Sequence, residues 1–236
     1  MRCLCSIVAV IGALVTQLPA DEPKKDADDG ISPAMKPYAE KLLELAKTYE
    51  RFGRIDDELR WAPGLCRMPE AGRPQFSESK DADTHGRKLY SLFAKDRWKY
   101  FETNSVRKDN VTAPIGQIIV KESWVPEETK VEGKPQPIVK RTNPDAKPPL
   151  NTVDHFVPYV QKDGKWYKAS KLAGLYVMMK FDPKTPDTDQ GWVYGTVSAD
   201  LKRVTAVGRI ASCMECHTKT RHDRQFGIHV QVQGGE

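Results

Sequence analysis

No stretch of this 236-residue chain concentrates charge of one sign. Its 37 Lys and Arg are interleaved with 32 Asp and Glu, for a net charge of +5. That pattern excludes the basic tract of a nucleic-acid binder and leaves a mild attraction for anionic partners. The apolar run over residues 6–15 is too short to span a bilayer, and there are no internal repeats. Cysteine is scarce as well: of five, Cys3 and Cys5 stand at the extreme N-terminus, which leaves Cys66, Cys213 and Cys216.

The N-terminus has the layout of an export signal. Met1-Arg2 is a short positive region, residues 6–15 (SIVAVIGALV) are apolar, and Pro19-Ala20 precedes a charged run. Residues 1–20 are therefore expected to be a signal peptide cut near Ala20, with an uncleaved anchor as the alternative. Loss of Arg2 with the leader leaves a net charge of +4. The mature protein is expected to be periplasmic or otherwise exported. Cys66 is then an odd thiol in an oxidising compartment, either buried and inert or held in an intermolecular disulfide.

The strongest signal lies near the other end, in Ser212-Cys213-Met214-Glu215-Cys216-His217-Thr218. Cys-x-x-Cys-His is the attachment pattern of a c-type haem. Two thiols three positions apart on a helix can add to the two vinyl groups of one porphyrin, and the adjacent His supplies the proximal imidazole to the iron. Cys213, Cys216 and His217 are thus the expected haem c ligands, with His217 on the metal. Export is consistent with this, since haem c is attached outside the bacterial cytoplasm. Three other readings stay open: zinc on Cys213, Cys216, His217 and His222, a redox dithiol, and a structural disulfide. The zinc reading lacks a long connection between ligand halves, the dithiol lacks a preceding βαβ pattern, and a disulfide leaves His217 unexplained.

Between the two ends the chain divides into 21–78, an N-terminal extension, and 79–236, a haem domain with a proline-rich insertion at 126–149. Ser32 as N-cap and Pro33 at the first helical position open an amphipathic helix carrying Met35, Tyr38, Ala39, Leu42, Leu43, Leu45, Ala46 and Tyr49. It is expected to end near Phe52-Gly53 with the glycine as a left-handed cap. Residues 61–69 read as an ordered loop in which Met68 fills a gap. Strands are expected at 89–94, 117–125, 172–181 and 191–197, with a short helix near 96–103 and a hairpin turning at Asp163-Gly164. Along 117–125, Ile119 and Lys121 share one face while Ile118, Val120, Glu122 and Trp124 share the other. One charged residue therefore points toward a core, which makes Lys121 and Glu122 candidate site residues, with an edge-strand ion pair as the alternative. The fold class expected is α+β: mainly antiparallel sheet, an N-terminal amphipathic helix and a short C-terminal helix carrying the motif.

The motif's position narrows the choice of haem protein. Small electron-transfer cytochromes c carry it early and supply a distal Met later, but only 19 residues follow His217 here and none is Met. Helical-bundle cytochromes c′ need four long helices, and this chain offers one. The chain does resemble the cytochrome P-460 family and its relatives, the beta-type cytochromes c′. The resemblance rests on His85-Gly86-x-x-Leu89-Tyr90, Gly116-x-Ile118-Ile119-Val120-Lys121-Glu122, Gly191-Trp192-x-Tyr194-Gly195 and Ser212-Cys213-x-x-Cys216-His217, and spans about 79–226.

The resemblance implies a mostly antiparallel haem domain, a homodimer, and a distal haem face open to small ligands. In cytochromes P-460 a lysine is cross-linked to the porphyrin and hydroxylamine is oxidised; beta-type cytochromes c′ bind nitric oxide and lack that bond. Lys121 is the lysine expected to make such a bond here, and Glu122 the distal or neighbouring acid that would take protons during oxidation. An oxidoreductase acting on hydroxylamine or a related small nitrogen oxide heads the expectations, with a soluble redox protein as electron acceptor and no nucleic acid. A nitric-oxide scavenger is the first alternative. An electron carrier with His229, His155 or a Met as sixth ligand is the second.

Overall fold

The computed structural model describes residues 31–55, 72–77, 79, 86–104, 111–136, 138–142 and 153–226. The leader, Cys66, Met68, His85 and His229 lie outside the described residues, as does the 61–69 loop. The architecture is α+β: an eight-stranded antiparallel sheet, a 19-residue N-terminal helical segment and a short C-terminal helix containing Cys213 and Cys216. In chain order the elements are α1 (Lys36–Thr48), β1 (Gly53–Arg54), β2 (Gln75–Phe76), β3 (Leu89–Ala94), α2 (Arg97–Thr103), β4 (Ile118–Thr129), β5 (Ile138–Thr142), β6 (Val153–Phe156), β7 (Tyr159–Lys162), β8 (Lys165–Lys180), β9 (Trp192–Val197), β10 (Val204–Gly208) and α3 (Ala211–His217). Short 3-10 turns at Pro33–Met35 and Tyr49–Arg51 flank α1. The main sheet runs β1-β3-β4-β8-β9-β10, with β2 added to β3 and β7 to β8; β5 and β6 make a separate pair.

Alternation along β4 and β8 gives the sheet two differently covered faces. One face buries Ile118, Val120, Leu175, Val177, Met179, Val193 and Phe93 under Leu42, Leu45, Ala46 and Tyr49 of the helical segment. The other buries Ile119, Ala94, Met178, Trp192 and Tyr194, against which Cys213 and Met214 of α3 pack. The sheet therefore separates α1 from the Cys-x-x-Cys-His helix. Residues 33–55, expected to lie in an extension, supply α1 and the edge strand β1 to this same core, because the helix's apolar stripe is the cover of one sheet face.

Several local expectations shift. Ser32 precedes the helical segment in extended conformation, but its side chain makes no capping hydrogen bond. Gly53 is not a left-handed cap: it belongs to β1, paired with Ala94, and a Cβ there would lie 2.0 Å from the Arg97 side chain. The proline-rich segment is partly structured, since β4 continues through Pro126 to Thr129 against β8. A register shift between Val125 and Pro126 accommodates the proline, which cannot donate to a ladder. The 172–181 strand and the second arm of the expected hairpin fuse into the 16-residue β8, and Asp163-Gly164, both with positive φ, form the two-residue turn between β7 and β8.

At Gly195 α1 lies close against the sheet, since an added Cβ would lie 2.3 Å from a Leu42 methyl. Leu42 is 0 % exposed. Gly195→Ala is expected to destabilise by about 1–3 kcal/mol through overpacking, and Leu42→Ala by about 2–5 kcal/mol through the void it leaves. The double variant should lose less than the sum of the two, which urea denaturation of all four proteins would show; additive losses would mean that the two sites do not touch.

Candidate functional site

The short helix α3 begins after extended Ile210, whose carbonyl accepts from the Cys213 and Met214 backbone N–H groups. Over Cys213 and Cys216 the spacing i, i+3 places both thiols on one side of its two turns. Both are free thiols, so the disulfide reading is not realised. Cys213 is half-buried against the Trp192–Tyr194 side of the sheet and Cys216 is exposed. Burial pushes the Cys213 thiol up to about 11, which keeps it protonated at neutral pH. Among the described residues no group of three or more His, Cys, Asp or Glu is assembled to hold a metal ion, so the four zinc candidates do not converge.

His217 ends the helix with its ring between two aromatic side chains. The Tyr194 centroid lies 5.5 Å away and the Phe226 centroid 4.9 Å, the latter in edge-to-face geometry. Its Nδ1 is hydrogen-bonded to the carbonyl oxygen of Arg224. A carbonyl can only accept, so Nδ1 carries the proton and Nε2 keeps its lone pair. Burial holds the imidazole below its ordinary pKa against the pull of that carbonyl, and the nearby Lys121 ammonium adds to the lowering. A neutral imidazole with Nδ1–H bound to a backbone carbonyl is the usual state of a metal-ligating histidine. Two free thiols, spaced i, i+3, and this imidazole fit the attachment of a haem c.

The carbonyl that orients His217 sits in a tight turn over residues 222–225. Asp223 (φ 47°) and Arg224 (φ 68°) are both left-handed without being glycine, at a cost of about 1–2 kcal/mol for each such residue. Their own side chains offset it. Asp223 accepts from Lys180 Nζ (3.1 Å), Trp192 Nε1 (3.1 Å) and the Ala113 backbone N–H (2.8 Å). Arg224 donates through Nε and Nη2 to the two carboxylate oxygens of Asp189, both at 2.9 Å. The Asp189 carboxylate also accepts from the Tyr194 hydroxyl at 2.8 Å. Next along, Gln225 Oε1 accepts from Asn104 Nδ2 at 2.7 Å. Burial raises the Asp189 carboxyl, but the hydrogen bonds from Arg224 and Tyr194 and the Arg224 charge outweigh it and hold it below its ordinary value.

No family model and no curated protein matches this chain.

Lys121 and Glu122 part company in the structure. Lys121 lies on the α3 face, where its ammonium sits 3.9 Å from the Tyr90 ring centroid and 3.5 Å from Ser77 Oγ. Next to it on that face Lys88 Nζ donates to the Tyr176 hydroxyl at 2.9 Å. Glu122 points the opposite way. It is 1 % exposed, accepts from the Tyr49 hydroxyl at 2.7 Å and from Trp124 Nε1 at 3.3 Å, and lies 3.7 Å from Arg54 Nη2. Arg54 itself is 0 % exposed and stacks between Phe93 and Phe156. The expectation of Glu122 as a distal acid is thus corrected: strict alternation along β4 turns it to the α1 side, where it pairs a buried guanidinium. The sheet stands between it and His217.

The sequence pointed to no site role for Asp189, Asp223 or Arg224, and Lys180 entered only as a residue of the 172–181 strand. Tyr194 stood among the residues of the family resemblance without a role. Asp189 falls in a polar loop and Arg224 downstream of the motif, and no spacing rule joins positions 35 residues apart. The available signal was Gly-Trp-x-Tyr, which puts the Tyr194 hydroxyl beyond an apolar strand where it needs an acceptor. Asp189 and Arg224 also set an acid limit. A carboxyl with a depressed folded-state pKa contributes stability that is present above its unfolded value and lost as pH falls through the folded one. Stability is therefore expected to fall with decreasing pH below about 4, the ordinary carboxylate range, and Asp189→Asn should flatten that part of the curve in thermal melts from pH 5 to pH 2.

Proposed function

We propose that the chain is an exported monohaem c-type protein, bound through Cys213, Cys216 and His217, that acts on small nitrogen oxides. Oxidation of hydroxylamine is the leading reaction. The reading rests on one observation above the rest: His217 is neutral, ring-fixed and Nδ1-bonded, next to two free thiols at i, i+3 on α3. Lys121 supports the P-460 type within it, since this ammonium shares the α3 face and acts on the His217 imidazole.

Bound haem would supply the redox chemistry and the site for a small nitrogen ligand. The protein's own contribution is defined by position. His217 offers Nε2 as ligand; Tyr194 and Phe226 hold its ring; Lys121 brings a positive charge to the same face. Glu122 takes no part in proton removal, because it faces α1. A soluble redox protein would take the electrons, and a homodimer is the expected assembly.

The burial of Glu122 favours one second reading. Without that carboxylate on the α3 face, the neighbours of Lys121 there include Tyr90, Leu92, Tyr176 and the Lys88 ammonium, none of which is a carboxylate able to take protons, and this suits uptake of nitric oxide better than oxidation of hydroxylamine. Purified holoprotein mixed with hydroxylamine and an artificial electron acceptor separates the two. Acceptor reduction is expected of the oxidase; ready binding of NO and CO without turnover would assign the protein to nitric-oxide binding. An iron inert to both ligands would contradict each.

A further inference from the structure

Arg224 contributes to the site through its backbone, yet its side chain is the better anchored part. The guanidinium makes a two-pronged contact with Asp189, and Asp189 also receives the Tyr194 hydroxyl. Tyr194 in turn packs beside the His217 ring. The loop carrying Asp189, the strand β9 carrying Tyr194 and the 222–225 turn are therefore joined at one carboxylate. Asp189 is 6 % exposed, and its bonds to Arg224 are those of a rigid fork rather than of a mobile surface pair.

Resting on the haem reading above, we propose that Asp189 is a positioning residue for the iron ligand. By holding Arg224 in its left-handed conformation it fixes the carbonyl that accepts the His217 Nδ1–H, and so sets the electron donation of Nε2 to the iron. The physical chain is short. A well-aligned acceptor on Nδ1 makes an imidazole more basic at Nε2, which favours the more highly charged ferric ion. If the Arg224 carbonyl drifts, that hydrogen bond weakens, donation falls and the ferrous state gains. Asp223, with its separate contacts to Lys180, Trp192 and Ala113, keeps the turn attached when Arg224 is released. Loss of the Asp189 contact is thus expected to loosen the ligand rather than to expel it.

The test uses full-length holoprotein carrying Asp189→Asn, Arg224→Met, Asp189→Glu or Leu45→Ala. Arg224→Met removes the fork and keeps the carbonyl; Asp189→Glu keeps the carboxylate; Leu45→Ala destabilises the opposite sheet face only. A pyridine haemochrome assay first establishes haem content. The reduction potential and the iron–histidine stretching frequency of the ferrous protein are then measured. Asp189→Asn and Arg224→Met are expected to raise the potential by a tenfold change in the ferric-to-ferrous ratio, about 59 mV for one electron, and to lower the stretching frequency. Asp189→Glu should recover part of both shifts, and Leu45→Ala should move neither. Haem present with potential and frequency unchanged in Asp189→Asn and Arg224→Met overturns the positioning role alone. Equal shifts in Leu45→Ala overturn it too, by making the effect one of general stability. A wild-type protein without haem c overturns it together with the reading on which it rests.

Discussion

Glu122→Ala is expected to lower folding stability by about 3–5 kcal/mol, the usual cost of removing one partner from a buried ion pair. The reason lies in what remains. Arg54 is fully buried between Phe93 and Phe156, and the substitution leaves its guanidinium without the carboxylate while the Tyr49 hydroxyl and Trp124 Nε1 lose their acceptor. Glu122→Gln keeps an acceptor oxygen and should cost less. Neither change touches the α3 face, so the folded fraction should carry haem and react with small ligands as the wild type does. Guanidinium denaturation alongside hydroxylamine turnover per haem checks both halves. Unchanged stability with lost turnover would return Glu122 to the distal site and contradict the face assignment.

Lys121→Met is expected to do the reverse. Lys121 is half-buried, and its ammonium rests on Tyr90. A partly exposed cation–π contact of this kind is worth about 0.5–2 kcal/mol, so the fold should survive the loss. Turnover of hydroxylamine should disappear and the optical spectrum should revert to that of an ordinary c-type haem, with NO and CO binding kept. Lys121→Arg keeps the charge but has no primary amine and should behave as the methionine variant does. Intact mass of the haem peptide after digestion decides whether lysine had bonded to the porphyrin. Full turnover in both variants would remove Lys121 from the chemistry.

The two substitutions concern adjacent residues, and their opposite outcomes show what the sequence could disclose. Period-two alternation correctly separated Lys121 from Glu122, but it could not say which face would carry the motif helix. That depends on where α1 docks, and α1 reaches the sheet through Leu42 against Gly195, a contact 153 positions long. Local signals did well where geometry is local. The 89–94 strand, the Asp163-Gly164 turn and the short helix over the Cys-x-x-Cys-His run follow in turn from an apolar stretch of strand length, turn chemistry and spacing. They failed where a side chain is chosen by distant partners. Gly53 looks like a helix cap in the sequence and is instead glycine because Arg97 fills the space beside it. Asp189 and Arg224 are two charged residues in polar segments until the fold closes and joins them beneath the imidazole.

The face carrying α3 holds nearly all that the functional account needs: two thiols, an oriented imidazole, a lysine and a clamped turn. On that face we propose covalent attachment of one haem c through Cys213 and Cys216 with His217 on the iron. The most direct measurement is a pyridine haemochrome assay on protein exported to the periplasm, after extraction with acidified acetone, with the wild type beside Cys213→Ser, Cys216→Ser and His217→Ala. One haem per chain is expected to stay with the wild-type polypeptide, with the spectrum of a singly attached haem or none at all for the cysteine variants, and an altered ferrous spectrum for His217→Ala. Haem wholly removed by the acetone, or its absence from well-folded wild-type protein, would contradict it.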